Sequence, residues 1–451
     1  MKRVHLVSLG CPKNRVDSEI MAGRLLAEAF VMVDDPAEAD VIVVNTCSFI
    51  QPATEESIDT ILEMAGHKAN GTCEKLVVTG CMVQRYGGAK LEEELPEVDH
   101  FIGTGEYHRI TAILKERKPA SKTHKDVPLY IHDEMTPRLH SWAPHSAYLK
   151  ISEGCDHRCA FCIIPTLRGK MRSRTIPSLA AEARGLADQG VVELNLVSQD
   201  STAYGRDLAD GTGLGKLLPA LAQVDGIEWI RLHYAYPIGI PEGLLDAIRD
   251  EPKVCRYLDM PLQHAAGPML KAMRRGVGRA GQERILDRIR QAVPDIALRT
   301  TFIVGFPGET DDDFEVLQDF VREQRFHHVG VFPYYQEDGT DAAILGGQVP
   351  EDVKVDRQQA LMAIQAEISR ERLAGLVGTT QTVLVDGPDK AEPLVTVGRL
   401  GTQAPDVDGC VYLDGLPLDT RPGTILQVRI SQSSVYDLAG RLGAADQGVA
   451  S

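Results

Sequence analysis

The chain has 451 residues, 43% of them hydrophobic, 25% charged and 5% aromatic, a globular composition that excludes a fibre or a disordered chain and, by length, calls for two or three domains. Its formal net charge of -16 repels a polyanion at long range and attracts a basic partner. No run of 18 apolar residues occurs, and the opening Val4 to Gly10 is too short and polar for a signal segment, so a cytoplasmic protein without membrane association is expected.

In chain order, the first third alternates apolar runs with helical stretches: Val4 to Leu9 then Ser18 to Ala29, Val41 to Val44 then Glu55 to Ala65, Leu76 to Thr79 then Ala89 to Leu95. That alternation predicts a parallel sheet covered by helices. Prolines without sustained periodicity mark 118–140 as a linker. Six further strand candidates follow, at Ala147 to Ser152, Val191 to Ser198, Glu228 to His233, Arg256 to Met260, Leu298 to Val304 and His328 to Tyr334. Helices such as Ser178 to Gln189, Gly281 to Ala292 and Asp312 to Gln324 lie between them, which predicts an open (βα)6 partial TIM-like barrel with its site at the strands' C-terminal ends. The glycine-rich Gly211 to Gly215 lacks the context of a phosphate loop and reads as a flexible turn.

Val353, Leu361, Ile364, Ile368 and Leu373 among charged neighbours give 351–374 the period of an amphipathic helix. The tail then changes character. Thr380 to Val385, Leu394 to Leu400, Cys410 to Leu413, Ile425 to Ser431 and Val435 to Leu438 are short strands broken by Gly, Pro and Asp, as in a small antiparallel β-barrel of OB type. The α/β chain therefore divides into a sheet domain (1–117), a linker (118–140), a barrel core (141–374), a small barrel (375–443) and a tail (444–451).

The nine cysteines fall into three groups. Cys155, Cys159 and Cys162 form a CxxxCxxC run directly after a strand, and three thiolates on one loop can hold three irons of a 4Fe-4S cluster while leaving the fourth open. Zinc loops instead favour paired CxxC knuckles and need a fourth ligand. Cys11, Cys47 and Cys81 each close an apolar strand, and in a parallel sheet such strand ends share one edge, so a second three-thiol site is expected. Singly, each would read as a buried small hydrophobe. Cys73, Cys255 and Cys410 share no such placement and read as ordinary thiols.

With both sets in view, the chain resembles the methylthiotransferases from end to end: their N-terminal domain with three dispersed cysteines, a radical S-adenosylmethionine (radical SAM) core and a C-terminal TRAM domain. Within them it is most similar to the RimO-type branch, which methylthiolates an aspartate of ribosomal protein S-twelve. The resemblance rests on Ser8 to Glu19, Gly154 to Arg168, Leu232 to Pro237, Asp259 to His264, Thr301 to Thr310 and Ala404 to Gly409. The related branch that methylthiolates tRNA adenosine shares the cysteines but usually has Gln-Met-Asn where this chain has Pro12-Lys13-Asn14.

The resemblance implies two 4Fe-4S clusters and S-adenosylmethionine. One S-adenosylmethionine is opened at the cluster on Cys155, Cys159 and Cys162 to give a 5'-deoxyadenosyl radical, which removes hydrogen from the unactivated aspartate β-carbon, a carbon no side-chain base could deprotonate. Sulfur comes through the cluster on Cys11, Cys47 and Cys81, and a second S-adenosylmethionine methylates it. For contacts to the cofactor the barrel ends point to Gln199, Asp200, Gln263, His264 and Gly305, although Gln199 and Asp200 could cap the following segment and Gly305 serve the turn before Pro307. Tyr234, Tyr236 and Arg168 are candidates to face the substrate. The implied partners are ribosomal protein S-twelve, free or on the small subunit, and an electron donor such as flavodoxin or ferredoxin.

From Asp386 to Arg441 there are five Lys or Arg against eight Asp or Glu, which suits a basic protein substrate better than bare RNA. Two competing readings are an iron-sulfur carrier without chemistry, which consumption of S-adenosylmethionine would exclude, and a tRNA methylthiotransferase, which a substrate assay would separate.

Overall fold

The computed structural model describes residues 1–116, 121–417 and 419–442; the expected tail, 444–451, and the linker residues 118–120 lie outside them. The first body comprises β1 (Arg3–Ser8), α1 (Pro12–Ala27), β2 (Val31–Met32), β3 (Val41–Thr46), α2 (Gln51–Asn70), β4 (Lys75–Gly80), α3 (Cys81–Tyr86), α4 (Ala89–Glu94), β5 (His100–Ile102), α5 (Ile110–Lys115) and β6 (Thr123–His124). Its sheet runs β2-β1-β3-β4-β5-β6, all parallel. Val41 to Val44 and Leu76 to Val78 are buried, as continuous apolar runs must be when helices cover both faces of a sheet.

α1 begins at Pro12, not at the expected Ser18, because Cys11 takes the extended cap position and Pro12 presets the first turn. The expected linker is also more structured than its composition suggests. β6 joins the sheet beside β5, and Arg138, nearly buried, donates to Glu19 at 2.6 Å and to Glu182 at 2.5 Å.

The second body starts with β7 (Ser146–Lys150), then β8 (Ser152–Glu153), α6 (Ile164–Arg168) and β9 (Arg172–Ser173), where β8 and β9 pair as a short antiparallel ribbon. It continues as α7 (Ile176–Ala187), β10 (Glu193–Val197), α8 (Leu214–Ala222), β11 (Trp229–Leu232), α9 (Leu244–Asp250), β12 (Val254–Asp259), α10 (Gly267–Ala272), α11 (Arg279–Ala292), β13 (Ala297–Val304), α12 (Asp311–Gln324) and β14 (His328–Pro333). Spatial order follows chain order, β7-β10-β11-β12-β13-β14, all parallel and open at β7 and β14.

Gly211 to Gly215 is not simply a turn. Gly213 caps α8, and Gly215 lies inside it, where an added Cβ would come within 2.5 Å of the Glu242 carbonyl. The glycines that disguise this helix are what let it pack against the start of α9.

α13 (Glu351–Ala374) is the expected long helix, but its buried face includes Lys354, Arg357 and Gln365 beside Leu361 and Ile368. These polar groups serve neighbouring carbonyls: Lys354 donates to Tyr334 at 2.9 Å and Gln365 to Phe326 at 3.2 Å.

The C-terminal body is a closed barrel of β15 (Thr380–Pro388), β16 (Thr396–Leu400), β17 (Val411–Asp414), β18 (Ile425–Ser433) and β19 (Leu438–Leu442), ordered β15-β16-β17-β19-β18. Four pairings are antiparallel and β17 with β19 is parallel. The last strand lies at 438–442 and not at the expected Val435 to Leu438, because Gly440 faces inward, where a Cβ would meet Val428 Cγ1 at 2.4 Å.

This barrel seats on the N-terminal ends of the larger barrel's strands. Leu384 and Ala404 pack with Trp229, Cys255, Tyr257 and Ala297. Glu193 on β10, fully buried, accepts from Arg399 at 2.7 Å and from Arg231 at 3.2 Å. Arg299 and His328 both face Asp408, at 3.4 Å. The cysteine loops lie at the opposite end.

Candidate functional site

Cys11, Cys47 and Cys81 follow the C-terminal ends of β1, β3 and β4, three adjacent parallel strands, so the sheet carries the thiols to one edge. Gly10, at φ +83, makes the approach possible: a Cβ there would lie 2.6 Å from Cys47 Cβ and 3.0 Å from its Sγ. Gly80, at φ +101, does the same for the turn into Cys81, where a Cβ would strike Asn45 Oδ1 at 2.4 Å. Ser57 donates to the Cys47 carbonyl at 2.8 Å and fixes that turn. Burial, with Cys81 and Cys11 adding like charge, pushes the Cys47 thiol up to about 12. Cys81 is also raised by burial, against which Arg168 works. Thiolates here need a compensating cation, which an iron-sulfur cluster would provide.

The second set lies on the loop after β8. Gly154 (φ +86) closes on the chain opposite, since a Cβ would meet the Lys170 carbonyl at 2.1 Å, and Cys155 N donates to Gly169 O at 3.1 Å. Arg275 donates to Cys159 Sγ at 3.4 Å and stacks over Tyr236 at 4.1 Å, whose hydroxyl is 3.7 Å from the same sulfur. His157 stacks on the other side of Tyr236 at 3.7 Å and pairs with Asp200 at 2.7 Å. Burial pushes Cys155 up to about 11 and Cys162 to about 12.

The five residues expected to contact the cofactor are spread over the same barrel end, with different surroundings. Gln199 donates to Glu153 at 2.6 Å and leaves its own buried Oε1 without a partner. Asp200 caps the turn at Ser201 through Thr202 N while holding His157. Gln263, at φ +73, bridges to Phe302 and lines a cavity. His264 is fully buried, with Nδ1 accepting from Ala266 N and Nε2 left without a partner 3.8 Å from Glu309. Gly305, at φ +71, packs against Lys354, whose Cγ a Cβ would meet at 2.2 Å, so packing alone accounts for glycine there.

Between the two cysteine sets runs a buried ion network that sequence reading missed. Arg168 donates to Asp17 at 2.5 Å, Glu153 at 3.3 Å, Asn14 at 3.1 Å and Cys81 Sγ at 3.4 Å. Lys150 pairs with the same Asp17 and, at 2.7 Å, with Glu153. The sequence makes Arg168 a candidate to face substrate, but it is 2% exposed and instead joins the first body to the second. Above it, Lys13 reaches the Ser198 carbonyl at 3.3 Å and stands 3.7 Å over the Tyr234 ring. Burial opposes its charge, but Tyr234, Cys11 and Glu153 outweigh that and hold its pKa above the ordinary lysine value.

A cavity of about 250 Å³ is lined by Phe49 and Ile50 just past Cys47, Phe161 beside Cys162, and Gln263, Tyr335 and Glu337. A larger one, about 530 Å³, lies among Trp229, Arg249 to Arg256 and Thr402 at the barrel's opposite end, away from every candidate thiol set. The smaller cavity is therefore the candidate active site.

Among the described residues all nine cysteines are free of disulfides, and no three His, Cys, Asp or Glu converge on a single metal ion. Two separated thiol triads suit polynuclear clusters, in which each thiolate takes its own iron. At the same barrel end the buried Gln199 Oε1 and His264 Nε2 have no hydrogen-bond partner.

Family models match three segments: Uncharacterized protein family UPF0004 over residues 3–103, Radical SAM superfamily over 149–321 and TRAM domain over 377–442. The chain is 52% identical to the ribosomal protein uS12 methylthiotransferase RimO of Anaeromyxobacter sp. (strain Fw109-5), covering 98% of this chain and 94% of that one. To the protein of the same name from Pelobacter propionicus it is 50% identical, covering 98% of both. In fold it is similar to the radical S-adenosylmethionine methyltransferase TsrM of Kitasatospora setae, with TM-score 0.57 and 14% identity over 82% of this chain and 89% of that one.

Proposed function

The chain belongs to the ribosomal protein uS12 methylthiotransferase RimO family, and from that premise we propose how its residues divide the work. It is a radical SAM transferase, with S-adenosylmethionine and 4Fe-4S clusters as its cofactors. Cys155, Cys159 and Cys162 hold the cluster whose open iron takes the cofactor, and Cys11, Cys47 and Cys81 hold the second. The observation that supports this reading is that residues adjoining one cysteine of each set, Phe49 after Cys47 and Phe161 before Cys162, line one cavity. When bound, the first cluster supplies the electron that opens S-adenosylmethionine.

At this end of the barrel the chain's own groups orient and exclude water. Arg275, Tyr236 and His157 wall off Cys159, Phe49 and Phe161 supply an apolar lining, and Gln263, His264 and Gln199 offer polar atoms to the cofactor. The acceptor is the β-carbon of an aspartate of uS12, in the cytoplasm, with flavodoxin or ferredoxin as electron donor. The acceptor reading rests on the family and not on charge, because the small barrel's exposed acids, Glu392, Asp406, Asp414 and Asp419, are matched by exposed Lys390, Arg421, Arg429 and Arg441, with Asp386 and Asp408 spent on internal pairs with Arg399 and Arg299.

The test is to reduce the reconstituted enzyme with S-adenosylmethionine, sulfide and either uS12 or unmodified tRNA, and to weigh both by mass spectrometry. A methylthio gain on a uS12 aspartate is expected, and a gain confined to tRNA would overturn the acceptor. Cys155→Ala is expected to abolish cofactor cleavage, whereas Cys47→Ala keeps cleavage and stops sulfur insertion.

A further inference from the structure

Lys13 occupies the second position of α1, where the positive end of the helix dipole disfavours a cation. Glu153 favours that charge at a distance, but Asp17 and Glu153 are held in pairs by Lys150 and Arg168, and among the described residues no carboxylate pairs with Lys13. One of its three N–H donors goes to the Ser198 carbonyl and its charge rests on the face of Tyr234, leaving two donors for a ligand. Tyr234 is itself held at φ +60, a strain that a tyrosine keeps where its surroundings impose it. Ser198 and Tyr234 follow the C-terminal ends of β10 and β11, so the ammonium stands between the Cys11 turn and the rim of the barrel that carries the other triad.

We propose that the Lys13 ammonium recognises the side-chain carboxylate of the acceptor residue, making the enzyme selective for aspartate over asparagine. The proposal rests on the aspartate reading given above. An ammonium donating to the carboxylate fixes the group one bond from the reacting carbon, and so directs the β-hydrogens. The isosteric amide offers one neutral acceptor oxygen and an NH2 donor, so it supplies no counter-charge to the Lys13 ammonium.

The test uses the full-length, cluster-reconstituted protein kept oxidised, so that nothing turns over. Binding of a labelled uS12 segment carrying the target aspartate, and of the same segment with asparagine, is followed by fluorescence anisotropy for wild type, Lys13→Met and Lys13→Arg. Wild type is expected to prefer aspartate by about 10- to 100-fold, the size of a charge-assisted hydrogen bond. Lys13→Met should bring the ratio near one by weakening the aspartate segment alone, and Lys13→Arg should restore part of it. Equal binding by wild type overturns the proposal. So does an undiminished ratio in Lys13→Met, including the case in which that variant alters only the loading or potential of the cluster on Cys11. Failure of reduced wild type to methylthiolate uS12 at all is a different result, and sinks the acceptor reading instead.

Discussion

Replacing Glu193 by Gln keeps shape and the acceptor for Ser146, at 2.7 Å, but removes a charge that two buried guanidiniums share. Arg231 then keeps only the Gly401 carbonyl at 2.7 Å, and Arg399 keeps Asp386 at 2.8 Å. Breaking a buried pair while leaving its partner charged costs about 3–5 kcal/mol, or roughly 150- to 5,000-fold in the equilibrium constant. Because Glu193 lies on β10 and Arg399 on β16, part of that loss falls on the seating of the small barrel. Urea unfolding, together with limited proteolysis of the 375–380 segment, reads both parts. The exposed pair Arg441 with Asp414, at 73% and 68% side-chain exposure, supplies a control: Asp414→Asn should cost under about 1 kcal/mol. The neighbouring arginines hold the Glu193 carboxyl far below the usual carboxylate range. Its contribution is therefore complete above the unfolded value near 4.5 and shrinks only as pH falls below it. A Glu193→Gln cost below about 1 kcal/mol at pH 7, or one indistinguishable from that of Asp414→Asn, would refute the reasoning.

Three other outcomes are expected. Arg168→Met strands Asp17 and Glu153 with Lys150 alone, and should destabilise the metal-free protein by about 3 kcal/mol or more in urea titrations. Burial works to raise Glu19, but Arg138 and His140 outweigh it and hold its carboxyl at about 2 against 4.5. That pair should contribute about 3 kcal/mol above pH 4.5 and lose it as pH falls through 2, so the urea midpoints of wild type and Glu19→Gln should converge in acid. Gly10→Ala forces a Cβ onto Cys47; iron analysis should show about half the wild-type iron, with cofactor cleavage retained.

Much of the site is written locally in the chain. Each apolar run that forms a central strand of the first sheet ends on or just before a cysteine, and parallel pairing does the rest. The CxxxCxxC loop is legible because its three ligands are contiguous. Arg168, Asp17, Glu153 and Lys150 are not legible as a unit, since residues up to 151 positions apart meet only after two sheets dock. Helix α8 escaped notice because three glycines in five residues resemble a turn, when one of them exists to let a neighbouring carbonyl approach. Short strands ruled by an inward glycine, such as β19, defeat alternation for the same reason: the informative position carries no side chain.

The seating of the small barrel on the underside of the larger one constrains how the protein can be cut and recombined. Arg231, Glu193 and Tyr257 face Arg399, Gly401 and Asp408 across that junction, so the C-terminal module is a floor as well as an appendage. A truncation at residue 375 would bare a buried charge network, and its loss of activity would report a damaged scaffold before a missing recognition surface. A chimera carrying a relative's module would need to bring matching partners for Glu193 and Arg299, which makes those contacts the graft points for exchanging the module between enzymes.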